Sequence, residues 1–174
     1  IVLKQSDVNA LLLDKAQLFN QVNTNSEEYF KNAQTIYTKA LTTVDSLLTV
    51  LSAKKLNFTE NDTARSLSLN AKTFYSPSIK YHLKRLERNI KSRSYDRVAN
   101  TDGYEKLTEL EFNDKASEFS KTIIANFQKN IKEMLAEANK TVETNLLNAI
   151  ALRHDPHSNY FTQEQNKEFN KQLS

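Results

Sequence analysis

Near the end of this 174-residue chain, Arg153-His154-Asp155-Pro156-His157-Ser158-Asn159-Tyr160-Phe161-Thr162 gathers imidazoles, a carboxylate and two aromatic rings into one short stretch. Imidazole and carboxylate are common metal ligands. Yet the two histidines flank an Asp-Pro bend instead of sitting one helical turn apart as in zinc proteases, and no third ligand is evident. Packing and hydrogen bonding at a chain junction is the better reading of His154, Asp155 and His157, and no metal or other cofactor is expected.

The other chemistry-bearing residues are more dispersed. Lys80, Lys84, Arg85, Arg88, Lys91 and Arg93, with Tyr81 and Tyr95 nearby, could track a phosphate backbone. The same pattern describes the solvated face of an amphipathic helix, eased by Glu87 and Asp96, and that reading is preferred, so no nucleic-acid partner is expected. Glu27/Glu28, Glu109/Glu111 and Glu133/Glu137 are paired carboxylates, but nothing in the sequence places any pair in a cleft where acid–base work is done. Serines are plentiful without a Gly-x-Ser-x-Gly elbow, and the single glycine, Gly103, lies in a polar turn. With no cysteine there is no disulfide, thiolate metal site or cysteine nucleophile. No catalytic residue is expected within these residues. The sequons at Asn57, Asn61 and Asn139 read as turn and cap residues in an Asn-rich chain.

Composition narrows the scaffold. One Gly and two Pro are too few for the turns of a β-rich or α/β domain of this length, so helices joined by few connections are expected. Charged residues at 26% and hydrophobic ones at 39% suit a globular domain with a real core. A net charge of +3 says little about anionic partners. No apolar run approaches the roughly 18 residues that span a bilayer. Ile1 reads as a boundary within something longer, with any export signal outside this stretch.

Helical periodicity organises most of the chain. Ser6 or Asp7 is a candidate cap for a helix bearing Val8, Leu11, Leu12, Ala16, Phe19 and Val22. Asn23-Thr24-Asn25-Ser26 breaks it and caps a long helix whose stripe is Tyr29, Ala33, Ile36, Tyr37, Ala40, Val44, Leu47, Leu48 and Leu51. Residues 56–63 form an ordered loop with Leu56 and Phe58 as apolar plugs and Asp62 capping the next segment, and residues 64–74 read as extended or irregular. Ser76-Pro77 opens a helix with Ile79, Leu83, Leu86 and Ile90 buried, ending near Ser94. Asn100-Thr101-Asp102-Gly103 is a turn. A short helical piece over residues 106–110 precedes a second long helix, capped by Asn113 or Asp114, with Ala116, Phe119, Ile123, Phe127, Ile131, Met134, Leu135 and Ala138 inward. Asn139 ends it in a left-handed conformation, and Thr141 caps a helix with Val142, Leu146, Leu147 and Ile150 on its apolar face. Pro156 stops that helix near Asp155, and Thr162 with Gln165 makes a capping box for a last helix anchored by Phe169. The expected fold is all-α, a single irregular domain over residues 1–174 with two long amphipathic helices and about six or seven helices in total.

Asp155-Pro156-His157-Ser158-Asn159-Tyr160-Phe161, followed by Glu168-Phe169-Asn170, resembles the tail-specific, or carboxy-terminal processing, serine proteases. In that family an Asp-Pro-His-(Ser/Thr)-x-Tyr segment and a Glu-x-Phe-Asn-like run lie where an N-terminal helical domain leads into a PDZ domain. Leu56-Asn57-Phe58-Thr59-Glu60-Asn61-Asp62-Thr63 is similar to the family's Asp-Phe-Thr-x-Asn-Asp-Thr loop, and Ser6-Asp7-Val8 matches weakly. Thr162-Gln163 departs from the family's frequent Ser-Pro after the aromatic pair, and Arg153-His154 from its lead-in. The resemblance implies a periplasmic endopeptidase with a Ser nucleophile and a Lys general base, both outside this chain. It engages protein substrates with accessible C-termini through its PDZ domain. The helical domain would shape the substrate-holding space and dock substrate or an adaptor protein. Asp155, Pro156, His157, Tyr160, Phe161 and Phe169 would form the interdomain junction, within residues 155–174, and Phe58, Asn61, Asp62 and Thr63 a structural loop. The alternative is a free-standing helical interaction module, or a nucleic-acid-binding protein using the basic helix over residues 79–93.

Overall fold

The computed structural model describes residues 2–13, 27–58 and 75–173. Six α-helices occur among them: α1 (Gln5–Leu13), α2 (Glu28–Ala53), α3 (Ile79–Ala99), α4 (Glu109–Ala136), α5 (Ala138–His154) and α6 (Gln163–Leu173). A single 3₁₀ turn, Tyr104–Lys106, precedes α4. Among the described residues the only β pairing is an isolated parallel bridge between Lys4 and Ser76. The fold is all-α, as composition and periodicity predict.

The two long helices are α2 and α4, and α4 packs on both α2 and α3 while α5 lies along α2. On α2, Tyr29, Ala33, Ala40, Val44, Leu47, Leu48 and Leu51 are buried at helical spacing, as the periodicity predicts. Leu41, fully buried, belongs with them and lies one position off the expected stripe. The opposite face is a line of hydroxyls: Thr35, Thr42, Thr43, Ser46 and Thr49 each donate to the carbonyl four residues back, at 2.8–3.0 Å. Leu41, Val44, Leu48 and Leu51 meet Ile90 and Val98 of α3 and Ala116, Ile123, Ile124 and Ile131 of α4 in one core. Leu56 and Phe58 close it from the segment after α2.

Several expected boundaries move. The first helix starts at Gln5, and Asp7 acts from inside its first turn by accepting the Lys4 N–H at 2.8 Å. For α3 the cap is Ser78, whose side chain accepts the Tyr81 N–H at 3.2 Å, so Ser76-Pro77 precedes the helix. That helix runs on to Ala99, not Ser94, because Val98 and Tyr95 still reach the core. Ile79 is exposed, whereas His82, Lys91 and Ser94 are buried. Thr108 caps α4 in a reciprocal capping box with Glu111, five or six residues ahead of the expected Asn113 or Asp114. Two orphan N–H groups are satisfied there at once, which a lone Asn or Asp further on would not do. Met134 is exposed at the surface of α4. Asn139 does not end α4. The break falls at Glu137, with φ −104° and ψ 8°, and both Asn139 and Thr141 lie inside α5. Gly103, with φ +78°, does occupy the left-handed turn position that its lack of Cβ permits. The expectations for residues 14–26 and 59–74, including Asn61, Asp62 and Thr63, lie outside the described residues.

Candidate functional site: the junction at residues 155–169

The junction is built by local rules. Pro156 disfavours the helical conformation at Asp155, and Asp155 turns to an extended conformation (φ −145°, ψ 117°) as α5 ends at His154. Its N–H still reaches the Ala151 carbonyl at 3.0 Å. The Asp155 carboxylate then organises the turn. One oxygen accepts the His157 N–H at 3.0 Å and the other accepts the Ser158 hydroxyl at 2.8 Å. The Ser158 N–H in turn donates to the Asp155 carbonyl at 3.0 Å. The bond from the His157 N–H, then that from the Ser158 hydroxyl, holds the Asp155 carboxyl below its ordinary value, because both stabilise the anion.

A longer tie fixes the turn to its helix. The Tyr160 N–H donates to the Asn148 side-chain oxygen at 2.7 Å, across twelve residues. Thr162 and Gln165 then exchange bonds as the sequence predicts: the Thr162 N–H to the Gln165 amide oxygen at 2.9 Å, and the Gln165 N–H to the Thr162 hydroxyl at 3.3 Å. This capping box starts α6 without a proline. Phe161 and Phe169 stack with centroids 5.8 Å apart and planes 25° apart. Both rings remain about half exposed, and Tyr160 is 39% exposed. The expected residues thus fall into local groups: the Asp155–His157–Ser158 turn, Tyr160 tied to Asn148, and the half-exposed Phe161–Phe169 pair. Asn148 is the member that sequence reading missed.

The other candidate groups are dispersed or employed elsewhere. Lys91 is buried, with its ammonium 3.8 Å from Glu87, and Glu87 also meets Lys54 at 3.2 Å. Arg93 lies over the Phe127 ring and Arg97 over the Phe119 ring, each 5.0 Å from the centroid. The Tyr95 hydroxyl donates to the Phe58 carbonyl. Lys80, Lys84 and Arg88 are exposed, so the basic residues of α3 are split between packing and solvent. Among the paired carboxylates, Glu27 meets Lys31 at 3.1 Å, Glu111 caps α4, and Glu133 lies 3.8 Å from Lys129. No group of three or more His, Asp or Glu side chains arranged for a metal ion occurs among the described residues. None of the described helices is long and apolar enough to cross a membrane. Phe58, from the predicted loop, is buried against the core.

Comparison with known proteins places this architecture. Neither curated proteins nor solved structures gave a match. A family model described as the tail specific protease N-terminal domain matches residues 1–164, from the segment before α1 to the capping box of α6. With nearly all of its 174 residues matched, the chain belongs to the tail-specific protease N-terminal domain family.

Proposed function

We propose that the chain is the non-catalytic helical module of a periplasmic tail-specific serine endopeptidase, forming one domain over residues 1–174 and leading at residues 155–174 into a PDZ domain. In this reading the parent enzyme cleaves with a Ser nucleophile and Lys base supplied by a later domain. It engages protein substrates by their C-termini. The helical module shapes access to the substrate-holding space and docks substrate or an adaptor protein. Its contribution is mechanical and steric.

The observation that carries the reading is the junction. The family match runs into it, the turn is tied back to α5 through Asn148, and the stacked Phe161–Phe169 pair faces outward where a following domain would cover it. Half-exposed aromatic pairs at a chain junction are what a domain interface uses as anchors. In the full-length enzyme, Pro156→Ala combined with Tyr160→Ala should lower cleavage of an unstructured protein substrate while circular dichroism of the helical module stays unchanged. The isolated 174-residue chain should cleave nothing. Full activity in the double variant would remove the coupling role from the junction.

A further inference from the structure

We propose that His82 is a proton-operated latch, holding the segment that starts α1 against the start of α3 while its ring is neutral and releasing it on protonation. His82 lies in the first turn of α3 and is 1% exposed, and Ser76, just before that helix, is fully buried. Neither His82 Nδ1 nor Ser76 Oγ has a hydrogen-bond partner. The neutral ring is tolerated there with its Nδ1 unprotonated. Protonation would place an N–H at Nδ1, which has no hydrogen-bond partner, inside a buried site, which is costly.

The surrounding charges oppose protonation as well. The positive charge of Lys4, just before α1, acts against a charged ring. Arg85, on α3 itself, adds a second positive charge. Asp7 is the acid that works the other way. It is already committed, accepting the Lys4 N–H at 2.8 Å and lying 3.5 Å from the Lys4 ammonium. Burial first, then Lys4 and Arg85, hold the His82 pKa below its ordinary value of 6.5. The sign follows: a histidine with a lowered native pKa favours the closed state fully above the unfolded value and progressively less as pH falls below it.

What opens is the attachment made by the backbone of Ser76. The start of α1 meets the α3 side through the Lys4–Ser76 bridge and the Gln5 N–H donating to the Ser76 carbonyl at 3.1 Å. The buried core residues come from α2, α3, α4, the segment after α2 and Ala138 of α5, with Val2 partly buried against them, so the start of α1 can open locally without global unfolding. The inference is independent of the protease assignment.

Hydrogen exchange of the full-length protein, read by mass spectrometry and corrected for the intrinsic pH dependence of exchange, tests it. Between pH 7 and pH 5, protection of the amides of residues 5–8 should fall severalfold, in the direction that a lowered histidine pKa sets. Amides of residues 123–131 in α4 should hold their protection. In His82→Gln the response should be flat. Lys4→Met, which keeps the backbone bridge and removes one opposing cation, should weaken it. A pH-independent wild type would overturn the latch, as would an equal response in His82→Gln or loss spread evenly into α4. Should His82→Gln not fold, an unaltered response in Lys4→Met overturns it on its own.

Discussion

The ring of Phe58 stands edge-on to Tyr95, with centroids 5.3 Å apart and planes at 88°, and the Tyr95 hydroxyl donates to the Phe58 carbonyl. Tyr95 also stacks on Phe112 at 5.7 Å. One residue after α2, one on α3 and one on α4 therefore share a single aromatic cluster, and the backbone leaving α2 is pinned to it twice.

Phe58→Ala should destabilise the domain by about 3–5 kcal/mol, as removal of a buried ring does. Tyr95→Phe keeps the ring contacts and leaves the Phe58 carbonyl without its donor, at about 1 kcal/mol. Chemical denaturation followed by circular dichroism measures both. A melting curve unmoved by Phe58→Ala would show that the ring does not hold this loop to the core.

Glu87 lies 3.8 Å from the buried ammonium of Lys91. Glu87→Gln should destabilise by about 1–3 kcal/mol, because it removes the anion beside a buried cation. Lys54 shares the same carboxylate but is 55% exposed, so Lys54→Ala should cost less than about 1 kcal/mol. Equal losses in the two variants would contradict the burial argument.

Acid should loosen two caps before it loosens the core. Hydrogen bonds from the Thr108 N–H and then the Thr108 hydroxyl hold Glu111 below its ordinary 4.5. Asp155 is held below 3.8 by His157 and then Ser158. For a lowered carboxyl, the stabilisation is complete above the ordinary value and disappears as pH falls through the lowered one. Between pH 5 and pH 2, the Thr108 and His157 amide resonances should therefore titrate with these carboxyls. Thr108→Ala should cost about 1 kcal/mol and return Glu111 toward its ordinary value. Amide shifts that ignore the carboxyl titration would mean the caps do not form in solution.

The apolar periodicity of α2 and α4 was readable because burial of one helix face leaves its mark every three or four residues. The junction was readable too, since Pro156 and the Thr162–Gln165 pair act within a few residues of themselves. Errors came where local signals compete. Thr108-x-x-Glu111 and Asn113-Asp114 are both plausible starts for α4, and the pair that satisfies two donors together prevails. Glu137 itself breaks the α4–α5 run, two residues ahead of Asn139, the residue type that more commonly ends helices. His82 and Lys91 were hidden for another reason. A reading that follows apolar residues passes over a buried imidazole, or a long aliphatic stem with an ammonium at its tip. Asn148 was missed because its partner lies twelve residues on, beyond any short motif.

The bond between Asn148 and Tyr160 gives α5 a meaning beyond the side chains it buries. Each residue of an α-helix turns the chain by about 100° and advances it 1.5 Å. One residue inserted or deleted between Asn148 and Asp155 would carry the turn to another side of the helix and out of reach of its anchor. The direction in which the chain leaves α5 for α6 is thus set by the number of residues between Asn148 and Asp155, like the phase of a screw thread. Substitutions there can be absorbed, and changes of length cannot.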